Sequence, residues 1–350
     1  MGTTAPGSRV EAAEASSPES ADRAWIWRVA ALVVVFGAIA VLRSRAVDVP
    51  FRDPSGKLFR GKLASTAVTL VVFIAVDVLV RWWRARRVGR SFRDVVVTRW
   101  TPYRIGMIAG GLVAYFVVYL CYRNLKSWLV FLTPHDAMLL RWDRALFFGH
   151  SPAVLLHDLL GQDLAARVLT ALYESFATIV TLALVAALAF APTVRSSYVF
   201  LVSAMWAWIL GVGSYYLIPT LGPFHAAPDE FAGLTRTSIQ HTQALYVTQR
   251  DQMLAHPQAA DSFAQIAAFA SLHCALTCLI WLMTRYYGLR VLSWVAFAFL
   301  CCTVVATVYL GWHFAVDDIA GILIAWAAVT LGKLTVLGRG GFRATAATTP

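Results

Sequence analysis

Long apolar runs dominate the chain. About eight of them, near 25–42, 63–82, 104–121, 168–192, 197–218, 268–286, 290–311 and 313–336, are long enough to be membrane-spanning helices. A chain built this way is expected to be an all-α, polytopic membrane helix bundle. Composition agrees: 59% of the residues are hydrophobic and 14% are charged, against about 25% charged in soluble domains. The net charge of +11 could suggest a nucleic-acid partner. The basic residues instead flank the apolar runs, where they set orientation and meet anionic lipid, so no nucleic acid is expected.

The spans divide the chain. Residues 1–22, rich in Ala, Ser, Pro and Glu, are expected to form a disordered tail. That tail has neither the basic start of a cleavable signal nor the sixth-position Ser or Thr of a myristoylation site. Residues 23–103 hold two N-terminal spans and a basic linker containing RARRVGRSFRD. Residues 104–337 form a six-helix core with a long polar loop at 219–262, and 338–350 is expected to be a flexible tail. Within 122–167, WLVFLTP is too short to span. There SPAVLLHDLL begins with a Ser cap and Pro at the first helical position, as an interfacial helix would. The five cysteines, Cys121, Cys274, Cys278, Cys301 and Cys302, all lie in apolar segments without metal-ligand spacing.

Alternation of the spans puts the 83–103 linker on one side, and 43–62, 122–167, 219–262 and the turn at 311–313 on the other. Dense basic loops stay cytoplasmic, so the second side is expected to be extracytoplasmic in a multi-pass plasma membrane protein. Against this, 43–62 also carries Arg43, Arg45, Arg52, Lys57, Arg60 and Lys62.

Ionisable residues beside spans are costly and mark function. In GWHFAVDDIAG, His313 and Asp317 are four residues apart and share a helical face. A carboxylate there can fix the imidazole tautomer and orient the ring for nucleophilic or base chemistry. Gly311 permits a tight turn before the helix, and Asp318, about 100° further round, is expected to face a loop or headgroups. In FASLHCAL, Ser271 and His273 lie at the outer end of another span, where a helix start can hold an anion. Two histidines and an aspartate on one membrane side suit phosphoryl transfer, one histidine attacking phosphorus and the other protonating the leaving oxygen. The plainer alternatives are a histidine that merely bonds neighbouring helices and a serine that merely caps one. A metal site would need a further carboxylate or cysteine. His225, His241 and His256 are expected to be solvated, and Tyr215 and Tyr216 to be interface aromatics.

SLH, followed some forty residues later by VYLGWHFAVDDIAG, resembles the last two motifs of the type 2 phosphatidic acid phosphatase superfamily, P-S-x-H and S-R-x5-H-x3-D, carried on a six-helix membrane core. The resemblance covers about 104–336. WDRALFFGHSP and YYLIPTLGP look like the branch containing fungal inositol phosphorylceramide synthase. It implies a lipid phosphatase or phosphotransferase that uses no cofactor or metal. By the same resemblance His313 would form a phosphohistidine, Asp317 would orient it, His273 would be the general acid and Ser271 would hold phosphate oxygens. The chain departs from the pattern at Ala270, in place of proline, and Thr307, in place of arginine, and lacks a K-x6-R-P motif. The phosphate is therefore expected to find its cations in the long loop, at Arg250 and then Arg236, with Arg141 and Arg144 behind them. Two rival readings are a transporter with a His/Asp proton relay, for which Asp77 and Glu174 are the mid-span candidates, and a catalytically inactive scaffold.

Overall fold

The computed structural model describes residues 23–347, with side chains up to residue 339. The tail expected at 1–22 and the last residues of the one expected at 338–350 lie outside the described residues. Among the described residues there are thirteen α-helices and no strands, and the chain is an all-α polytopic membrane protein. Seven helices are long and apolar enough to cross a membrane: α1 (Ala24–Ala46), α2 (Lys62–Ala85), α4 (Pro102–Ser127), α7 (Leu164–Phe190), α8 (Val194–Leu217), α12 (Arg290–Tyr309) and α13 (Ala315–Ala347). The last runs on past residue 337 through a kink at Gly338 (φ 71°, ψ 178°). Shorter helices are α3 (Phe92–Arg99), α5 (Asp136–Leu146), α6 (Pro152–Leu160), α9 (Pro223–Ala226), α10 (Ser238–Ala255) and α11 (Leu272–Tyr286).

The run expected to span at 268–286 is helical only from Leu272, for 15 residues, about 22 Å at 1.5 Å per residue. Ahead of it, 263–270 is non-helical yet largely buried. Non-helical backbone inside a membrane protein persists only where the protein satisfies its polar groups. Here Ala264 N–H donates to Ser127 Oγ (3.0 Å), Ala268 N–H to the Thr220 carbonyl (3.1 Å), Phe269 N–H to Thr220 Oγ1 (2.9 Å) and Ala270 N–H to Ser214 Oγ (2.9 Å). The next amide, Ser271 N–H, donates to the Asp317 carbonyl at 3.0 Å. This stretch, laid between α4, α8 and α13, delivers α11 to the centre of the bundle.

The most buried span is α8, which packs against α13 and α4, while α11 packs against α12 and α13. The N-terminal spans embrace this core, α1 against α4 and α13, and α2 against α7. A knot of charge fastens them at the end of α7. Buried Asp77 accepts from Arg81 Nε (2.8 Å), Arg99 Nε (3.2 Å) and Trp100 Nε1 (3.3 Å). Arg99 and Arg104 donate to the carbonyls of Ala189, Ala191 and Pro192. Buried charges persist when paired and bonded in this way.

The 219–262 stretch is not a structureless loop. Thr237 caps α10 in a reciprocal box with Gln240, a start signal strong enough to order a polar helix. One face of α10 turns inward, with Ile239, Gln243 and Met253 buried and Gln243 Nε2 donating to the Leu310 carbonyl at 2.9 Å.

Gly321 fixes how closely α13 approaches the start of α11. A Cβ there would stand 2.2 Å from the Ser271 carbonyl oxygen. Gly321→Ala should therefore destabilise the protein by about 1–3 kcal/mol through overpacking, although alanine is the better helix former by about 1 kcal/mol. A thermal melt in detergent reads this; an unchanged or raised midpoint would contradict the close approach.

Candidate active site

His313 lies in the turn between α12 and α13. Gly311 makes that turn in the left-handed region (φ 75°), and the amides of Trp312 and His313 donate to the Thr307 carbonyl at 3.0 and 3.2 Å. Two acceptors face Nδ1 of His313, the Ala268 carbonyl at 2.9 Å and Asp317 Oδ2 at 3.4 Å. The carbonyl can only accept, so Nδ1 carries the proton and Nε2 keeps its lone pair. Asp317 was expected to orient the ring; in the structure the Nδ1 hydrogen bond goes to the Ala268 backbone carbonyl, with the carboxylate alongside at 3.4 Å. Its Oδ2 also accepts from Phe314 N–H at 2.9 Å, while its buried Oδ1 has no hydrogen-bond partner. Burial pushes the His313 imidazole down to about 4, against the pull of the Asp318 carboxylate, and so favours a neutral nucleophile.

His273 stands in the first turn of α11, its Nδ1 3.4 Å from His313 Nε2. Tyr173 stacks on its ring at 4.3 Å and Phe176 leans on it at 4.2 Å. Tyr173 in turn lies parallel to Trp312 at 5.8 Å, and Tyr246 of α10 meets Trp312 at 5.6 Å. The histidine pair thus sits in an aromatic-walled chamber roofed by α10.

Ser271 is fully buried as the N-cap of α11, its Oγ accepting from Cys274 N–H at 3.4 Å. Asp318 does not face a loop or headgroups. It is buried, accepting from Thr307 Oγ1 at 2.8 Å and from Cys274 Sγ at 3.0 Å. Its turn away from Asp317 carries it into the seam of α11, α12 and α13. The threonine in place of the family's arginine is thereby engaged with a carboxylate.

The structure brings together His313, His273, Asp317 and Ser271, but not the loop arginines. Arg236 is exposed just before α10. Arg250 is half-buried, lines a neighbouring cavity with Thr220, Ile266 and Ala267, and lies 3.7 Å from the Asp251 carboxylate. Arg144 pairs with Glu230 at 2.9 Å and Arg141 is exposed. His225, His241 and His256 are exposed, as expected.

Sequence reasoning missed two cations on the last turns of α4. The charge of Lys126 acts on both imidazoles, and its Nζ lies over the Tyr215 ring at 5.4 Å. Tyr215, expected at the membrane interface, is buried instead. Arg123, three residues before Lys126, donates to Tyr119 Oη (3.1 Å) and to Gln265 Oε1. Two cations at i and i+3 at the end of an apolar span share one face, a signal the sequence did carry. Among the described residues, no three His, Cys, Asp or Glu side chains are grouped to hold a metal ion.

A protein-family model described as the PAP2 superfamily matches residues 137–331. No curated protein and no solved structure matches the chain. The matched stretch runs from α5 into α13, takes in both histidines, Ser271 and Asp317, and covers more than half of the 350 residues. On this match, and with the paired histidines where the superfamily's last two motifs resemble this chain, the protein belongs to the PAP2 superfamily.

Proposed function

We propose that the chain is an integral membrane lipid phosphatase or phosphotransferase working through a phosphohistidine on His313. The observation that carries this is the facing of His313 Nε2 and His273 Nδ1 at 3.4 Å, with His313 Nδ1 bonded to the Ala268 carbonyl and Asp317 beside it at 3.4 Å. The substrate's phosphoryl group parts these two nitrogens. Nε2 of His313 attacks phosphorus, an N–P bond forms, and the P–O bond to the lipid alcohol breaks. His273, charged once the phosphate anion lies against it, gives its proton to the departing oxygen. In the second half, water or an alcohol attacks phosphorus, His273 takes its proton, and the N–P bond breaks. Lys126, with Arg123 behind it, supplies positive charge that the transition state's oxygens need. Ser271, Arg250 and Arg236 remain further candidates for phosphate contact.

The resemblance of WDRALFFGHSP and YYLIPTLGP to the inositol phosphorylceramide synthase branch supports transfer from a phosphodiester as the finer reading. The inactive-scaffold reading has against it that the two imidazoles proposed as nucleophile and acid face each other at 3.4 Å. A proton-relay transporter has against it that Asp77 is held by Arg81, Arg99 and Trp100, while Glu174 accepts from Ser238 Oγ.

Phosphate release from a panel of lipid phosphates, with and without an alcohol acceptor, tests this reading on purified protein. His313→Ala should abolish turnover, and Lys126→Ala should lower it by about 10²–10³, the usual effect of losing one transition-state donor. Full turnover in the His313 variant would overturn the mechanism; full turnover in the Lys126 variant would move the clamp to Arg250 or Arg236.

We also propose a plasma-membrane location with the site on the extracytoplasmic side. Arg84 in the last turn of α2, and Arg86, Arg87 and Arg90 just beyond it, lie near the Asp77 knot and away from the histidines. Two of the basic residues of 43–62 that opposed this orientation have structural work. Arg52 donates to the Ser262 and Pro257 carbonyls at 2.7 and 2.8 Å, and Arg43 lies over the Tyr216 ring. A cysteine replacing exposed His241 should react with an impermeant thiol reagent in intact cells, and one replacing Arg87 should not. The reverse pattern would place the chemistry in the cytoplasm.

A further inference from the structure

Helix α5 buries Asp136, Leu139 and Asp143 in one stripe, so two of its three buried side chains are carboxylates. A buried carboxylate is costly unless donors satisfy it. Each of these accepts two backbone amides from residues distant in sequence. Asp143 Oδ2 accepts from Ala315 N–H at 2.8 Å and Oδ1 from Val316 N–H at 3.0 Å. Asp136 Oδ1 accepts from Leu221 N–H and Gly222 N–H, both at 2.8 Å.

The four amides bracket His313. Ala315 and Val316 open α13, where free N–H groups and the helix dipole favour an anion. On the other side, the 221–224 turn grips the residues before the histidine. Phe224 N–H donates to the Gly311 carbonyl at 3.0 Å, and a Cβ on Gly222 would stand 2.7 Å from the Trp312 carbonyl oxygen. One short helix therefore ties down the backbone both before and after His313.

We propose that Asp136 and Asp143 are positioning residues for the His313 nucleophile, a brace across α5 that fixes where Nε2 points. This rests on the phosphohistidine reading. α13 does not depend on Asp143 for its existence: it is packed along α8 and α11, and Asp317 already caps its start at Phe314. What Asp143 adds is location, and a misplacement of about 1 Å in a reacting group costs about 10² in rate.

The experiment compares wild type, Asp143→Ala, Asp143→Asn and Asp136→Asn by steady-state kinetics, thermal melting and amide hydrogen exchange of the segment 311–318. The expected result is a fall in kcat of about 10–10² for Asp143→Ala, with KM within about threefold. Asp143→Asn, which keeps one acceptor, should lie between it and wild type. Exchange across 311–318 should quicken while the α8 peptides stay protected. Should Asp143→Ala fail to fold, the two asparagine variants carry the comparison. Unchanged exchange across 311–318, or quickened exchange with unchanged kcat, would overturn the proposal, as would a loss confined to melting temperature. If wild type turns over no lipid phosphate, the functional reading fails, and exchange still decides whether the brace exists.

Discussion

A backbone that leaves the helix inside a membrane protein must find partners for every amide and carbonyl it frees. Four amides of 263–270, those of Ala264, Ala268, Phe269 and Ala270, find theirs in Ser127 of α4, Ser214 of α8 and Thr220. Much of the site follows from it. The stretch shortens α11 to a helix that starts at the depth of the chamber, which sets His273 beside Tyr173 and Phe176. It also leaves the Ala268 carbonyl to hold Nδ1 of His313. A continuous helix over 263–286 would have spent that carbonyl on its own ladder.

The electrostatics of the chamber follow from the same packing. Anionic chemistry needs positive charge near the histidines, and the arginine position of the last motif holds Thr307 instead. Thr307 donates to Asp318 and so ties down a second carboxylate beside the site. On the proposed reading the compensating charge comes from Lys126 on the last turn of α4, over the Tyr215 ring, rather than from the loop. Helix α10 contributes a roof, with Tyr246 on Trp312 and Gln243 on the Leu310 carbonyl.

The spans and the histidine pair were legible in the sequence because each rests on a local signal: length of apolar run for one, H-x3-D and S-x-H for the other. What was not legible depends on which face of an element meets which neighbour. An apolar run shows that α4 is a span, but not that Arg123 and Lys126 turn inward. The helical angle of Asp318 was right, yet the angle says nothing of Thr307 and Cys274 waiting there. The polar stretch 219–262 looked like a loop because its apolar residues are few, although the Thr237–Gln240 capping box announced α10. Hydrophobicity alone could not tell that 268–271 is non-helical backbone rather than the first turn of a helix. Nor does anything in WDRALFFGHSP show that Asp143 closes onto amides 172 and 173 residues away.

The central claim is that His313 takes the phosphoryl group onto Nε2. Rapid quenching of the purified protein during turnover of a lipid phosphate labelled in phosphorus, followed by peptide mapping in alkali, where phosphohistidine survives, addresses it directly. The account predicts label on the peptide carrying His313 and loss of that label on brief exposure to acid. Label on the His273 peptide instead, or steady turnover with no labelled protein at any quench time, would contradict it.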